Sequence, residues 1–265
     1  MNTTYLKIPV EMALFSLSEG YYRQAGTYLA SHFLYSGKAR TSDKPAHRIG
    51  SATDSSPRTV HRHFKWLLNR NWMGKDTANG WYFFRGLDRV HEIEGWKFGR
   101  AAIMYPKDLK TIKAYLVGVV LASLAKTGKG QRTERKSRGS EPTVAPISLS
   151  VIADTLDVSE STAYRLRKLA HDNNYVKNTE NLIQITNWTP NDLKQLKAND
   201  VHQVPVELLG YADRRIVSID RIRYKDNKLH LQDPNLIYSL IQLKHRKGLL
   251  DTAPYRGTNV SQECQ

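Results

Sequence analysis

The chain has 265 residues, of which 40 are Lys or Arg and 25 are Asp or Glu, so its formal charge is +15. This length suits one large domain or two modest ones, and the charge predicts a polyanionic partner. No apolar run approaches the roughly 20 residues of a membrane span, which favours nucleic acid over a membrane as that partner. The single cysteine, Cys264, excludes an internal disulfide and a cysteine-based zinc site. With no signal-peptide pattern at the start, we expect a reducing, cytoplasmic compartment.

The first region predicts two helices and a connecting loop. Apolar residues in "YYRQAGTYLASHFLYSG" recur at helical spacing, and Gly37 predicts the end of that helix. We expect the polar segment 38–45 to be a loop. The next stretch, "PAHRIGSATD", predicts a short second helix with Ile49 facing inward.

A third helix follows, and its two faces differ. Ser55 or Ser56 is placed to cap it, and Pro57 suits its first turn. The apolar stripe contains Val60, Phe64, Leu67 and Leu68. The opposite face carries Arg58, His61, Arg62 and Lys65. After the helix, "NWMGKDTANGWYFFRG" predicts a β-hairpin that turns at Asn79 and Gly80.

The sequence repeats itself further along. Residues 48–73 align with 151–176 without a gap, and identical residues occupy seven of the aligned positions. Upstream, "LASHFLYSGK" is echoed by "LASLAKTGK", and "LKIPVE" loosely by "AIMYPKD". The order of the elements is the same in both regions, so we interpret them as two copies of one module rather than as a chance similarity.

The second copy predicts the same helices with a different core. "SLSVIADTLDV" predicts the short helix, and Ser159 caps the next one, with Glu160 in its first turn. The core positions of that helix are Ala163, Leu166, Leu169 and Ala170. Arg167 stands where the first copy has Phe64, which predicts a smaller core with the arginine stem extending along it. "NYVKNTENLIQIT" predicts a second, shorter hairpin.

Three helices followed by a hairpin is the element order of a winged helix–turn–helix. The second copy resembles the many helix–turn–helix units of the form "IADxLxVSxSTxxRxxKxL", and "SPRTVHRHFKWL" resembles the winged helices of phage and plasmid replication proteins and of many regulators. This resemblance implies a mainly α fold with small β-hairpins (α+β) and two tandem winged helix–turn–helix domains. The predicted domains are 1–95, 96–188 with a basic flexible loop at 126–146, a C-terminal α+β extension at 189–252 and a disordered tail at 253–265.

The extension differs from both copies. "TPNDLKQLKAN" predicts a capped helix, and "RRIVSIDRIRYKDNKLHLQD" predicts two strands around "KDNK". "DPNLIYSLIQLKHRKGLL" predicts an amphipathic helix with a basic end. This region could cover the second module, form a contact with a second protomer, or bind a replication or transcription protein.

The winged-helix resemblance implies that each third helix enters the major groove of duplex DNA. In the first copy the candidate DNA contacts are Ser56, Arg58, Thr59, His61, Arg62 and Lys65. In the second copy they are Ser159, Ser161, Thr162, Tyr164, Arg165 and Lys168. The hairpins add Lys75, Asn79 and Lys177, and the loop adds Arg132, Arg135, Lys136 and Arg138. We expect the lysines to hold phosphates, with a solvated surface role as the alternative, and the loop either orders on DNA or stays solvated.

The resulting hypothesis is a sequence-specific double-stranded DNA-binding protein that acts as a phage- or plasmid-type replication initiator on origin repeats, in the cytosol of a bacterium or phage-infected host. The alternative is a transcription repressor. A nickase is less favoured, because the histidines of "HRH" at 61–63 diverge on a helix and do not converge on one metal. The chain also lacks a GxxxxGK[ST] phosphate loop. We therefore expect no enzyme activity, no metal and no cofactor.

Overall fold

The computed structural model describes residues 4–97, 99–127, 144–205, 216–241 and 243–245. These residues form a mixed α/β fold of helices and small antiparallel sheets, in line with the expected combination of helices and hairpins. Among them, no helix is both long enough and apolar enough to cross a membrane.

The chain divides into two compact units. The first unit comprises Met1–Lys113 and Gln242–Gln265, and the second comprises Ala114–Ile241. The division falls within a helix, and the four predicted domains stay a prediction.

The first unit contains helices and short strands in alternation. They are β1 (Leu6–Pro9), α1 (Val10–Ser18), α2 (Tyr22–Tyr35), β2 (Lys38–Arg40), α3 (Pro45–Thr53), α4 (Pro57–Asn69), β3 (Met73–Asp76), β4 (Trp81–Phe84), α5 (Leu87–Ile93) and β5 (Arg100–Met104). Helix α6 (Ile112–Thr127) begins here and continues into the second unit.

Helices α2, α3 and α4 pack on one another, and the core of this unit includes Trp72, which follows α4. This side chain is fully buried, and its ring lies edge-on to Tyr28 of α2 at 5.2 Å between centroids. Its indole nitrogen donates a hydrogen bond to Glu94 Oε1 over 2.6 Å, and Arg70 forms an ion pair with the same carboxylate. Trp72 therefore buries its large apolar surface while its only polar group keeps a partner.

The hairpin β3–β4 forms as the sequence predicts. Asn79 donates from its backbone and side-chain nitrogens to the Asp76 carboxylate, and Gly80 has a φ of 66°. The segment 38–45 is not wholly a loop, however. Lys38–Arg40 pairs with β4 to give a three-stranded sheet in the order β2-β4-β3. The free edge of β4 supplies backbone partners that the local sequence does not reveal.

The second unit continues from α6. Its elements are β6 (Val144–Pro146), α7 (Leu149–Leu156), α8 (Glu160–Asp172), β7 (Val176–Gln184), α9 (Pro190–Ala198), β8 (Gln203–Pro205), β9 (Ile216–Ser218), β10 (Ile222–Lys225) and β11 (Lys228–Ser239). The last described strand, β12 (Leu243–His245), returns to the first unit and joins the sheet β1-β5-β12.

The aromatic residue that follows α8 packs on α6, as Trp72 after α4 packs on Tyr28 of α2. Tyr175, which follows α8, lies edge-on to Tyr115 of α6 at 5.5 Å. A Cβ atom at Gly118 would lie only 2.7 Å from the Cβ of Tyr175, so this close approach needs glycine.

The sheet of the second unit is built around β11. Strand β7 pairs with one edge of β11, while β10 and then β6 pair with the other. The order β6-β11-β7 matches β2-β4-β3, but α9, β8, β9 and β10 lie between β7 and β11 in the chain. The prediction of a short hairpin at 174–186 is therefore wrong. Strand β7 runs unbroken over its polar middle because β11, which is distant in sequence, pairs with it.

The predicted C-terminal amphipathic helix is also wrong. The chain from Lys228 to Ser239 is a strand, and Leu243–His245 is another. The two strands predicted around "KDNK" are confirmed, with Asp226 and Asn227 both at positive φ in the turn. A small separate core accompanies them, formed by Ile185, Val204, Ile219, Ile222, Leu229 and Leu231. Pairing with two partner strands outweighs the helical spacing of the leucines.

Candidate nucleic-acid interface

In the first unit, the N-terminus of α4 is held by a serine cap. Ser56 has an extended backbone, and its hydroxyl accepts a hydrogen bond from the Thr59 backbone nitrogen over 3.2 Å. The Thr59 hydroxyl lies 2.9 Å from Ser56 Oγ and accepts from Arg62 Nη2 over 3.4 Å. Of the two candidates, Ser56 is thus the cap. Thr59 links the cap to Arg62 and orients that guanidinium along the helix.

The N-terminus of α8 repeats this arrangement. Ser159 accepts from the Thr162 backbone nitrogen over 3.3 Å, and Arg165 Nη2 donates to the Thr162 hydroxyl over 3.4 Å. The preceding helices end alike, with Asp54 and Asp157 both in the left-handed conformation. The sequence repeat therefore extends to the backbone and to the hydrogen bonds that start each helix.

The helices also end alike. Asn71 and Asn174 have φ values of 58° and 59°. The backbone nitrogen of Trp72 donates to the Leu67 carbonyl, and that of Tyr175 donates to the Ala170 carbonyl, each over 2.9 Å. Start, length and end of the two helices thus correspond, so residues at equivalent positions occupy equivalent places on each.

The predicted contact residues of both helices lie on exposed faces. The exposed side chains are Ser56, Arg58, His61, Arg62, Lys65, Ser159, Ser161, Tyr164, Arg165 and Lys168. Thr59 and Thr162 are half-buried in the cap networks. Among the described residues, no carboxylate forms an ion pair with Arg58, Arg62, Lys65 or Arg165. The cations of α4 therefore form a surface with uncompensated positive charge.

Lys168 differs from Lys65, its equivalent. Its Nζ lies 2.9 Å from Asp172 Oδ2, and this hydrogen bond and charge raise the pKa of the lysine. The equivalent of Asp172 in the first unit is Asn69, which carries no charge. The α8 surface is consequently less positive than that of α4.

The histidines of "HRH" separate as the helical spacing predicts. His61 is exposed and lies edge-on to Phe64, whereas His63 is buried and shares a 2.7 Å hydrogen bond with Thr27 Oγ1. Burial, helped by the charges of Arg62 and Arg23, lowers the pKa of His63. No group of three or more potential metal-ligating side chains occurs in the described part of the chain. His63 thus ties α4 to α2 in this fold.

The predicted hairpin contacts have mixed outcomes. Lys75 is exposed on β3, whereas Asn79 uses its backbone and side-chain amides to hold Asp76. These hydrogen bonds lower the pKa of Asp76, which stays ionised in the turn. Lys177 is exposed but lies at the start of β7, next to the end of α8 and not at a hairpin tip. The loop residues Arg132, Arg135, Lys136 and Arg138 lie outside the described residues.

Arg167 occupies the position that Phe64 has in the first unit. Phe64 packs against Tyr82 of the sheet at 5.3 Å between centroids. Arg167 is only 6% exposed, and its guanidinium lies 5.6 Å from the Tyr164 ring centroid. Burial lowers the pKa of Arg167. A buried arginine thus takes the place of a ring in this copy, and the smaller core stays a prediction.

Two further groups of exposed cations were missed in the sequence. One lies on β2, where Lys38 and Arg40 stand beside Trp81 at 4.2 Å and 4.8 Å from the ring centroid. The other is the hairpin β10–β11, where Arg223 and Lys228 are exposed and donate hydrogen bonds to glutamines. Alternating basic residues in "KAR" and "RIRYK" were the available signals, because alternation places them on one face of a strand.

No family model matches the chain, and neither the curated proteins nor the solved structures that were searched include a match. Any functional assignment therefore depends on the geometry and charge described above.

Proposed function

We propose that this protein binds specific sequences of double-stranded DNA through two winged helix–turn–helix modules and acts as a replication initiator of the phage or plasmid type. The observation that carries the proposal is the duplicated, serine-capped helix with an exposed basic face. The first two turns of α4 carry exposed arginines that form no ion pair among the described residues, and such cations are suited to a polyanion.

The element order supports the winged-helix interpretation. In the first unit α2, β2, α3, α4, β3 and β4 follow one another, and the sheet order β2-β4-β3 puts the strand between the first two helices beside the hairpin. In the second unit α6, β6, α7, α8, β7 and β11 occupy the same places. Here the chain between the last two strands is enlarged by α9 and β8–β10.

Each helix would enter the major groove by its N-terminal half. A helix of this diameter fits that groove, where each base pair presents its own pattern of donors and acceptors. Arg58, in the first turn of α4 and without an ion pair among the described residues, suits a bidentate contact to guanine O6 and N7. Lys65 lies two turns further along and suits a phosphate.

The two helices carry different residues at equivalent positions. Arg58 and His61 of α4 correspond to Ser161 and Tyr164 of α8. One chain would therefore bind an asymmetric site, and a cluster of such sites in the same orientation forms the direct repeats of an origin. This reasoning favours initiation over repression.

Footprinting of the purified protein on its replicon tests the proposal. We expect protection of several direct repeats and a log K against log salt slope steeper than about −5, since each neutralised phosphate contributes about −0.9. A slope near about −1 would overturn the DNA-binding proposal. Protection of a single site over a promoter would replace initiation with repression.

A further inference from the structure

The outer face of the sheet β2-β4-β3 is a second surface with its own chemistry. Cross-strand partners share a face of a sheet, and the pairs here are Lys38 with Phe83 and Arg40 with Trp81. Lys38, Arg40 and Phe83 are exposed, the last by 38%, and Trp81 is half-buried. We call these four residues the aromatic sheet face.

This face is separate from the surface of α4. Tyr82 and Phe84 alternate with Trp81 and Phe83 along β4, and their rings pack against Phe64 of α4 at 5.3 Å and 5.9 Å. Since successive residues of a strand point to opposite sides, the aromatic sheet face is directed away from α4. It is therefore not part of the proposed duplex-binding surface.

The cations of the face sit on its rings. Lys38 Nζ lies 4.2 Å from the centroid of Trp81 and 5.1 Å from that of Phe83, and Arg40 Cζ lies 4.8 Å from that of Trp81. Gly74 is the β3 partner of Phe83, and a Cβ there would meet no atom within 4 Å, so the sheet surface at Gly74 is open. Asp76 is the carboxylate opposite Trp81, and it is held by Asn79. Rings flanked by cations match a ligand that combines flat aromatic groups with negative charge.

We propose that the aromatic sheet face binds single-stranded DNA, with bases stacked on Phe83 and Trp81 and phosphates held by Lys38 and Arg40. Rings two residues apart on a strand lie about 6.8 Å from each other. This is twice the roughly 3.4 Å between neighbouring bases of a duplex strand, so two bases that stack on both rings must be separated from each other. Only an unpaired, extended strand offers its bases in this way. The choice of DNA over RNA rests on the proposed function, because the same module carries α4.

The test compares single-stranded and duplex affinities in the full-length protein by fluorescence anisotropy, with a labelled oligothymidylate of roughly 12 nucleotides and the footprinted duplex. Phe83→Leu and Trp81→Leu should each weaken oligothymidylate binding roughly five- to a hundredfold and leave duplex binding within about twofold. Phe83→Trp keeps an aromatic ring at this position, so this variant should retain oligothymidylate binding. Lys38→Gln should make the single-strand salt slope shallower by about 0.7.

Two controls separate stacking from other effects. Tyr105 is 47% exposed with Lys107 near its ring, but it lies outside this sheet, so Tyr105→Leu should change neither affinity. An abasic oligonucleotide of the same length carries the phosphates without the bases, and the ring variants should bind it as the wild type does.

Oligothymidylate binding that is unchanged in Phe83→Leu and Trp81→Leu would overturn the inference. Tighter binding to oligouridylate RNA than to oligothymidylate would overturn the assignment of DNA. A protein that binds its duplex but no single strand contradicts this inference alone. A protein that binds single strands but no duplex contradicts the proposed function and supports the aromatic sheet face.

Discussion

Helices α4 and α8 begin and end in the same way but differ in what they pack on and what they expose. Both are capped by serine and both are followed by an asparagine at positive φ. Yet α4 packs Phe64 on an aromatic sheet, whereas α8 buries Arg167 at the equivalent position. The caps and turns depend on a few local residues, so they preserve the backbone of each helix while its core and its surface diverge.

The largest expected effect concerns the aromatic residue that follows each helix. Trp72 is fully buried and contacts Tyr28, Trp66 and Trp96, whereas Tyr175 is half-buried. Trp72→Ala should lower the free energy of unfolding by about 3–5 kcal/mol, because it removes this packing and leaves Glu94 without the indole donor. Tyr175→Ala should cost less, about 1–3 kcal/mol. Urea unfolding followed by circular dichroism measures both, and equal costs would contradict the difference between the two cores.

Acid should destabilise the first unit through His32 and His63. Burial lowers the pKa of His32 to about 4, and its Nε2 lies 3.0 Å from the Arg85 carbonyl oxygen. The unfolded chain takes up this proton near pH 6.5 and the folded chain only near pH 4. The contribution of neutral His32 to the free energy of unfolding is therefore fully present above about pH 6.5. It falls by about 3 kcal/mol as the pH drops to about 4. The lowered pKa of His63 acts in the same direction.

Urea unfolding at about pH 7 and about pH 4.5 measures this loss. His32→Gln retains a donor for the Arg85 carbonyl but does not titrate, so its stability should depend less on pH. If wild type and variant lost stability equally, His32 would not be the group responsible. His32 and His63 both lie in the first unit, so spectroscopic signals from this unit should respond to acid.

Base specificity should divide between the two helices. Arg58→Ala should weaken binding to the specific duplex by about 1–3 kcal/mol and relax the preference at one base position, and Arg165→Ala should do the same at a different position. Arg89→Ala is the control, because that arginine is exposed on α5 and paired with Glu92. Binding assays with single-base-substituted duplexes measure the preference. Unchanged base specificity in both variants would contradict the placement of α4 and α8 in the major groove.

The smallest expected effect separates Lys65 from Lys168. Lys65→Ala should weaken all duplexes alike and make the salt slope shallower by about 0.9. Lys168→Ala should change the slope less, because Asp172 already offsets its charge. Asp172→Asn should then free Lys168 and steepen the slope. Equal slopes for Lys65→Ala and Lys168→Ala would show that the Lys168–Asp172 ion pair opens on DNA.

The repeated part of the fold could be predicted from the sequence because its determinants are local. Ser56, Pro57 and Ser159 set the starts of α4 and α8, and the turn at Asn79 and Gly80 sets the hairpin. The exposed face of α4 follows from these starts and from the helical period. Most residues of the candidate interface can therefore be predicted from the sequence.

The partners of β11 could not be predicted in this way. Leu236, Leu240 and Leu243 recur at a spacing that also fits a helix, and only the pairing of Leu236–Ser239 with β7 and β6 decides for a strand. The aromatic sheet face depends on the same kind of information, because Lys38 and Arg40 meet Trp81 and Phe83 only when β2 pairs with β4.

The basic charge, the repeat, and the caps and turns that start and end the helices all follow from the order of the amino acids. Which strands pair and which cations lie on rings follows instead from the three-dimensional fold. The physical reason is range. A cap or a tight turn is completed by hydrogen bonds within a few residues, whereas a sheet edge takes whichever strand the rest of the fold brings to it.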